Sequence, residues 1–315
     1  MPTTDLRIIF MGTPDFAVAS LDALVQAGYN VVAVITAPDK PAGRGMKLTE
    51  SAVKKYAVEK NLHILQPEKL KNPQFIEELR ELKADLQIVV AFRMLPEIVW
   101  NMPPLGTVNL HGSLLPQYRG AAPIHWAVIN GEKETGVTTF KLKHEIDTGD
   151  ILLQKSLSIG EDETTGEVHD RMKVIGAALL VATVKGLADN SLQKINQSSI
   201  QNQESAVLKH APKIFTETCQ IHWNETAGKI HNLVRGLSPF PGALTILDTK
   251  ILKVYRSKKE IAQHEYAAGK VFSDGKTFLK FSCIDGYIHI LDLQLEGKKR
   301  MLTEDFLRGH RLTSV

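Results

Sequence analysis

Residues 106–125 read Gly-Thr-Val-Asn-Leu-His-Gly-Ser-Leu-Leu-Pro-Gln-Tyr-Arg-Gly-Ala-Ala-Pro-Ile-His, and this stretch indicates how the chain folds. In its first part, apolar or β-branched residues alternate with Asn109 and His111, a pattern that predicts a β-strand. A loop marked by glycine and proline follows, and after it the sequence predicts a helix from Ala122 to Asn130. A strand that leads through a loop into a helix is typical of an α/β sheet.

The polar side chains of this strand point to a functional site. Asn109 and His111 are two residues apart, so both side chains lie on one face of the strand. Ligands of open α/β sheets bind at the carboxyl ends of the strands, and an amide and an imidazole there can stabilise a developing oxyanion. The alternative is that both residues lie on the outer face of an edge strand. The residue types alone leave both interpretations open.

The rest of the N-terminal half alternates strands and helices. Arg7–Met11 and Val31–Ile35 are apolar runs without alternation, as expected for strands that helices cover on both faces, and Asp15–Ala27 between them is amphipathic. We therefore predict an α/β, Rossmann-like and mostly parallel sheet. Thr13-Pro14 stands where a dinucleotide-binding loop needs glycine, which argues against an NAD site. Further strands and helices are predicted at Ser51–Lys60, His63–Leu65, Pro73–Leu82, Asp85–Phe92, Thr138–Leu142, Ile151–Leu157 and Gly166–Leu187.

The C-terminal part has a different pattern. Asn190–Gln203 is rich in Ser, Gln and Asn, which predicts a linker. A helix from Thr226 to Arg235 and five short strands then predict a small β-barrel of the oligonucleotide-binding kind. We accordingly expect a catalytic domain at 1–189, a linker at 190–205 and a β-barrel domain at 206–315. The predicted strands are Ala243–Leu247, Ile251–Ser257, Gly269–Phe272, Thr277–Phe281 and Tyr287–Leu293.

Composition and charge narrow the classes of function. The chain is 43% hydrophobic and has no apolar run near the ~20 residues that span a bilayer, and its first residues lack the pattern of a signal peptide. Cys219 and Cys283 are far apart and in no metal-ligand spacing, which favours a cytoplasmic protein without a metal site. Residues 207–315 hold 17 Lys and Arg against 11 Asp and Glu, a net of +6. This excess suggests an acidic partner, although a solvated basic face would look the same.

Residues 37–48 form an unusual basic segment. It contains Lys40, Arg44 and Lys47 together with two prolines and two glycines, so we expect an irregular loop. It follows a strand on the side where substrates bind, and such loops commonly bind phosphates. An ordinary surface loop is the alternative.

These residues also carry a family resemblance. The run from Asn109 to Pro116, with Tyr118-Arg-Gly-Ala-Ala-Pro-Ile after it, resembles the core signature of the formyltransferases that use 10-formyltetrahydrofolate. Asp147-Thr-Gly149 matches the second motif of this family, and the resemblance extends from Arg7 to about Val315. The basic loop, the segment His231–Gly242 and the C-terminal β-domain resemble the members that formylate methionine esterified to initiator tRNA. The resemblance implies that activity, with 10-formyltetrahydrofolate and the initiator methionyl-tRNA as its substrates.

By this resemblance, Asn109, His111 and Asp147 are the catalytic residues. The α-amine attacks the formyl carbon, and Asn109 and a protonated His111 donate hydrogen bonds to the oxygen that becomes negative. Asp147 favours the imidazolium form of His111 and can relay the proton of the amine. The reaction requires no nucleophilic serine or cysteine and no metal.

The resemblance also implies binding residues. Lys40, Arg44 and Lys47 would contact the tRNA, and we further expect a Leu115–Pro116 cis bond, a monomer and no membrane association. Two departures stand out: Phe240 replaces a tryptophan of related sequences, where we expect an apolar plug, and Arg93 adds a cation beside the folate pocket. The residues implied for the folate pocket are Ser113, Leu114, Leu115, Pro116, Phe92, Arg93, Met94 and Leu95.

Two other functions stay open at this point. One is a related formyltransferase that acts on a small amine, from the purine pathway or an amino sugar. The other is an RNA-binding protein with an inert formyltransferase-like domain. The two basic regions argue against the first, and the intact set of Asn109, His111 and Asp147 argues against the second.

Overall fold

A computed structural model of the chain describes residues 5–42, 47–201 and 207–312, apart from the side chains of residues 42, 47 and 201. Within these ranges the strands are β1 (Arg7–Gly12), β2 (Asn30–Ile35), β3 (Lys40–Ala42), β4 (Lys47–Thr49), β5 (Ile64–Leu65), β6 (Leu86–Val90), β7 (Thr107–His111), β8 (Arg119–Gly120), β9 (Glu134–Lys141), β10 (Ile151–Ser158), β11 (His210–Ala211), β12 (Ala243–Leu247), β13 (Lys250–Ile261), β14 (Val271–Ser273), β15 (Leu279–Cys283), β16 (Gly286–Leu295) and β17 (Met301–Leu302). The helices are α1 (Asp15–Gln26), α2 (Ala52–Glu59), α3 (Pro73–Glu81), α4 (Glu97–Trp100), α5 (Pro123–Ile129), α6 (Thr165–Ala188), α7 (Gln197–Gln201), α8 (Ala227–Gly236) and α9 (Thr303–Arg308). In this described part of the chain, no helix is both long and apolar enough to cross a bilayer.

The chain divides into two compact units. Unit 1 comprises Met1–Gly120, Gly136–Leu157 and His169–Lys209, and unit 2 comprises Ala121–Thr135, Ser158–Val168 and His210–Val315. The segments 121–135 and 158–168 therefore group with the C-terminal residues. The boundaries expected from the sequence, 1–189, 190–205 and 206–315, stay a prediction.

The fold of unit 1 is the predicted α/β class, with a mostly parallel sheet of strand order β10-β9-β7-β6-β1-β2-β5. Strands β1, β2, β5, β6 and β7 run parallel, and β9 pairs antiparallel with β7. Every residue of β6 is buried, as its apolar run predicted. Leu110 lies on the face of β7 opposite to His111, where it packs against α6 at Gly176. A Cβ added to Gly176 would lie 3.0 Å from a methyl group of Leu110. Because β6 and β7 are parallel neighbours, their carboxyl ends reach the same edge of the sheet.

One expectation about the basic segment was wrong. Residues 40–42 and 47–49 pair as an antiparallel two-stranded ribbon, with Lys40 opposite Thr49 and Pro41 opposite Leu48. Pro41 is compatible with this arrangement because the ribbon has only edge strands, where a missing N–H is tolerated. Arg44 lies outside the described residues.

The segment expected to be a linker also contains regular structure. Ile195 pairs with Ile151 in an isolated antiparallel bridge, and α7 begins at Gln197. Both backbone hydrogen bonds between Ile195 and Ile151 are 2.8–2.9 Å long. The composition of the segment did not predict this structure, because only a few single residues make the contacts and the rest of the segment is polar.

Unit 2 contains a curled antiparallel sheet that forms a half-barrel, with strand order β12-β13-β16-β15-β14 and β17 beside β16. Its apolar core joins the sheet to α8 through Ile230, Val234 and Leu237. The Thr226 side chain caps α8 by accepting a hydrogen bond from the Lys229 N–H. The small C-terminal β-domain that the sequence predicts is confirmed, and its sheet forms a half-barrel.

Candidate active site

The carboxyl half of β7 holds the two polar side chains that the sequence singled out. In the register with β9, Asn109 is opposite Phe140 and His111 is opposite Thr138, so these four side chains lie on one face of the sheet. Phe140 is fully buried and presents its ring edge-on to His111, with 6.4 Å between the ring centroids and 83° between the ring planes. This packing holds the imidazole in a fixed orientation.

His111 has two nitrogens with different surroundings. Nε2 is 2.9 Å from the Tyr118 carbonyl oxygen, which can only accept, so Nε2 carries a proton and donates it. Nδ1 is 3.9 Å from Oδ2 of Asp147, and the His111 side chain is only 7% exposed. The nitrogen left for chemistry is therefore Nδ1, on the side of the carboxylate. Nδ1 can accept a proton when the ring is neutral, and it can donate one when the ring is an imidazolium.

Asp147 is held in the turn before β10. Its Oδ2 accepts a hydrogen bond from the Gly120 N–H at 3.0 Å, and its backbone has φ 55°, in the left-handed region. The carboxylate therefore faces the His111 nitrogen that is not bonded to the Tyr118 carbonyl. The structure thus brings Asp147 and His111 together, although the turn and β7 are far apart in sequence.

The Asp147-Thr-Gly149 motif requires a glycine at its third position for a steric reason. A Cβ at Gly149 would lie 1.6 Å from the Lys141 carbonyl oxygen and 3.2 Å from the Phe140 ring. Only a residue without a side chain lets the turn approach β9 this closely. Gly149 therefore sets the position of Asp147 through the backbone.

We expect Gly149→Ala to destabilise unit 1 by about 3 kcal/mol, because the added methyl meets backbone that cannot yield. Thermal unfolding checks this. Thr148→Ala is the control, because this substitution removes only the hydrogen bond of 3.1 Å that the Thr148 hydroxyl donates to the Glu145 carbonyl. Equal unfolding temperatures for Gly149→Ala and the unsubstituted protein would contradict the steric argument.

Asn109 is half-buried, and its side-chain amide makes no hydrogen bond to any other described residue. An amide without an internal partner at the carboxyl end of a buried strand is costly unless water or a ligand satisfies it. Its NH₂ group is thus available to a carbonyl oxygen beside His111.

The loop after β7 is tethered to the sheet. The hydroxyl of Thr138 donates to the Ser113 carbonyl at 2.7 Å and accepts from the Leu115 N–H at 3.1 Å. Ser113, Leu115 and Pro116 are buried and Leu114 is half-buried. The Leu115–Pro116 bond is cis, so that prediction is confirmed.

The other stretch implied for the folate pocket follows β6. Phe92 and Leu95 pack against the apolar cluster between the sheet and α3, while Met94 is 75% exposed. Arg93 donates hydrogen bonds to the carbonyls of Pro67 and Glu68, the latter at 2.8 Å. The guanidinium of Arg93 is therefore engaged by backbone oxygens, and burial lowers its pKa.

Of the three cations implied for tRNA, the structure describes one side chain. Lys40 is exposed at the start of β3. Arg44 and the side chain of Lys47 lie outside the described residues.

Sequence reasoning missed Gln197, which is 1% exposed and hydrogen-bonded to the turn that holds Asp147. A polar residue in a polar segment gives no sign of burial.

Sequence reasoning also did not show that Arg235 and Phe240, both in the segment 231–242, differ in burial. Arg235 is buried and donates to the carbonyls of Gly160 and Glu163, whereas Phe240 is 78% exposed, so the expected apolar plug was wrong. Pro239 is exposed as well, although its ring lies close to Gly166.

An amide donor, an imidazole and a carboxylate at the carboxyl end of a parallel sheet are the components of a site for acyl-type group transfer. Residues 6–184 match the Formyl transferase family, and residues 213–311 match the Formyl transferase, C-terminal domain, family. The chain belongs to the formyltransferase family. Methionyl-tRNA formyltransferases are among its relatives over full length: it is 53% identical to that of Bacteroides fragilis over 323 residues, covering 100% of this chain and 98% of the relative. It is 56% identical to that of Phocaeicola vulgatus over 317 residues, covering 99% and 98%.

Solved structures share the fold. An N-formyltransferase from Helicobacter canadensis, in complex with folinic acid and dTDP-3-aminofucose, matches with a TM-score of 0.67 and 20% identity, over 94% of this chain and 100% of that chain. At this identity the likeness is one of fold.

Proposed function

We propose that this protein transfers the formyl group of 10-formyltetrahydrofolate to the α-amino group of methionyl-tRNA, the initiator species used to begin translation. The observation that carries the proposal is the pairing of His111 Nδ1 with the Asp147 carboxylate, 3.9 Å apart, on the same face of the sheet as Asn109. The names of the full-length relatives support the choice of substrate.

The surroundings of Asn109 support the proposal that a formyl donor is one of the two substrates. The half-buried amide of Asn109 has no hydrogen-bond partner among the described residues. Its NH₂ group can therefore donate a hydrogen bond to a carbonyl oxygen of the substrate. When bound, 10-formyltetrahydrofolate supplies the formyl carbon that the amine attacks. Ser113, Leu114, Leu115 and Pro116, with Phe92, Arg93, Met94 and Leu95, are the proposed residues of its pocket.

The three polar side chains divide the chemistry. The amide of Asn109 donates to the formyl oxygen as that oxygen gains charge. His111 takes up a proton at Nδ1 from the attacking amine, because Nε2 is already committed to the Tyr118 carbonyl. Asp147 stabilises the imidazolium that results. His111 then returns the proton from Nδ1 to the nitrogen that leaves, so that the site ends in its initial state.

The remaining parts of the proposal concern the tRNA. Lys40, Arg44 and Lys47 would position the aminoacyl end, and the basic domain at 206–315 would supply a salt-sensitive, sequence-independent contact with the phosphates. Residues 1–189 would form the catalytic domain, with 190–205 as the connection. We propose a monomer that acts in the cytoplasm, where methionyl-tRNA is made.

The direct test is to incubate the protein with methionyl-tRNA and 10-formyltetrahydrofolate and to measure the mass of the aminoacyl group. We expect the gain of one formyl group and its dependence on both substrates. An unchanged mass with a formyl donor that serves a known formyltransferase in parallel would refute the proposal.

We expect Arg44→Ala to lower kcat/KM for methionyl-tRNA about tenfold or more and to leave folate binding unchanged. An arginine makes forked contacts with phosphates and base edges, and lysine is a point charge, so Arg44→Lys should recover only part of the loss. Formylation kinetics and folate titration of each variant check this.

Arg80→Ala is the matched control for charge. Arg80 is an exposed arginine of α3 that pairs with Glu77, so its removal changes the net charge equally. The role of Arg44 in tRNA binding is refuted if Arg44→Ala formylates tRNA as efficiently as Arg80→Ala.

A further inference from the structure

Gln197 is a buried amide whose hydrogen-bonding capacity is fully used. Its Oε1 accepts two hydrogen bonds from the Arg119 guanidinium, from Nε at 3.0 Å and from Nη2 at 2.5 Å. Its Nε2 donates to the carbonyl oxygens of Asp147 and Gly149, both at 2.8 Å. One side chain therefore joins two segments that are distant in sequence.

These two segments meet at the catalytic carboxylate. Arg119 precedes Gly120, whose N–H donates to Oδ2 of Asp147, and the Asp147 carbonyl is bound by Gln197. The carboxylate is thus fixed by Gly120, and the backbone behind it is fixed by Gln197. Because Gln197 also holds the residue next to Gly120, a shift of Gln197 would move both contacts of Asp147 at once.

The backbone of Asp147 needs such support. Its φ of 55° lies in the left-handed region, which residues other than glycine seldom adopt without contacts that hold them there. The two hydrogen bonds from Gln197 to the carbonyls of Asp147 and Gly149 fix the turn from both sides of Thr148. They determine the direction in which the Asp147 side chain leaves the backbone.

The choice of an amide over a carboxylate also has a physical reason. Arg119 is partly buried and its pKa is lowered by burial, against the opposing influence of Asp147 and Glu145. A glutamate at 197 would pair well with Arg119 but would turn an oxygen toward two carbonyl oxygens. Only an amide accepts on one side and donates on the other.

We propose that Gln197 is a positioning residue for formyl transfer, which sets the distance between the Asp147 carboxylate and Nδ1 of His111. This inference rests on the proposed function, since it concerns the same reaction. It assigns a role in the catalytic site to a segment that composition marks as a linker.

Two substitutions test the role. Gln197→Met keeps the length of the side chain and removes all four hydrogen bonds, while Gln197→Glu keeps an acceptor for Arg119 and removes the two donors to the turn. We expect each to lower kcat about tenfold or more, with KM for both substrates within about twofold, because Gln197 is buried and makes all its hydrogen bonds within the chain. Should Gln197→Met fail to fold, Gln197→Glu carries the test.

The matched control is Gln87→Met. Gln87 is a fully buried glutamine at the start of β6, where its side chain meets Thr107 rather than Asp147. We expect its kcat to equal that of the unsubstituted protein. Hydrogen exchange of residues 145–150 should quicken in the Gln197 variants and stay unchanged in Gln87→Met.

A double-mutant cycle separates positioning from general support of the fold. If Gln197 acts through Asp147, Gln197→Glu should lower kcat less than twofold further in an Asp147→Asn background. The inference is overturned if Gln197→Glu has the kcat of the unsubstituted protein, or if it lowers kcat by the same factor in both backgrounds. A protein that formylates no methionyl-tRNA in the unsubstituted form refutes the proposed function instead, so the two failures are distinct.

Discussion

Replacing Asp147 with asparagine is expected to lower kcat for formyl transfer by about 10²-fold or more, which corresponds to ~2.7 kcal/mol. The substitution keeps the shape of the side chain and an oxygen for the Gly120 N–H, so the turn should persist. It removes the negative charge 3.9 Å from His111 Nδ1. At an effective dielectric constant of about 20, two charges at this separation attract by about 4 kcal/mol, which is sufficient for the expected loss.

Kinetics at saturating concentrations of both substrates, together with thermal unfolding, measure this effect. Asp150→Asn is the control, since Asp150 lies in the same turn but pairs with Lys143 at 2.8 Å. We expect Asp150→Asn to retain nearly all activity. A folded Asp147→Asn variant with unchanged kcat would show that the carboxylate has no part in the chemistry.

Replacing Asn109 with alanine is expected to lower kcat by about 10²–10³-fold, the usual loss when one oxyanion donor is removed. Because the amide has no internal partner among the described residues, its removal should cost the fold little, and the unfolding temperature should change by only a few degrees. His111→Ala should cause a similar loss of kcat.

The double variant Asn109→Ala with His111→Ala should lose far less than the product of the two single effects, because both residues act on the same tetrahedral intermediate. Asn101→Ala, an exposed asparagine after α4, is the control for asparagine removal. Independent, multiplicative losses in the double variant would argue that Asn109 and His111 serve separate steps.

The hydrophobic pattern of the sequence was sufficient to predict the parallel sheet. The runs at β1 and β6 are apolar on both faces, and only strands covered on both sides tolerate such runs in a folded domain. The same reasoning placed Asn109 and His111 on one face of β7. The association of Asp147 with His111 came only from family resemblance, because no local pattern reports which turn reaches a given strand end.

Other features depend on single tertiary contacts that leave no sequence pattern. The proton on His111 Nε2 is fixed by the Tyr118 carbonyl, whose direction depends on a left-handed φ of 59°. Gln197 is buried although its neighbours are polar and exposed. Phe240 is exposed although aromatic residues are usually buried.

The hydrogen bond from His111 Nε2 to the Tyr118 carbonyl has a consequence for the direction of the reaction. With one nitrogen committed, every proton that the ring exchanges must pass through the other nitrogen, in whichever sense the transfer runs. By microscopic reversibility, the atom that relieves the attacking amine of its proton is also the atom that would protonate this amine as a leaving group. The site itself therefore favours neither formylation nor deformylation. The direction of the net flux depends on the concentrations of methionyl-tRNA, formylmethionyl-tRNA and the two folates relative to the equilibrium constant of the reaction.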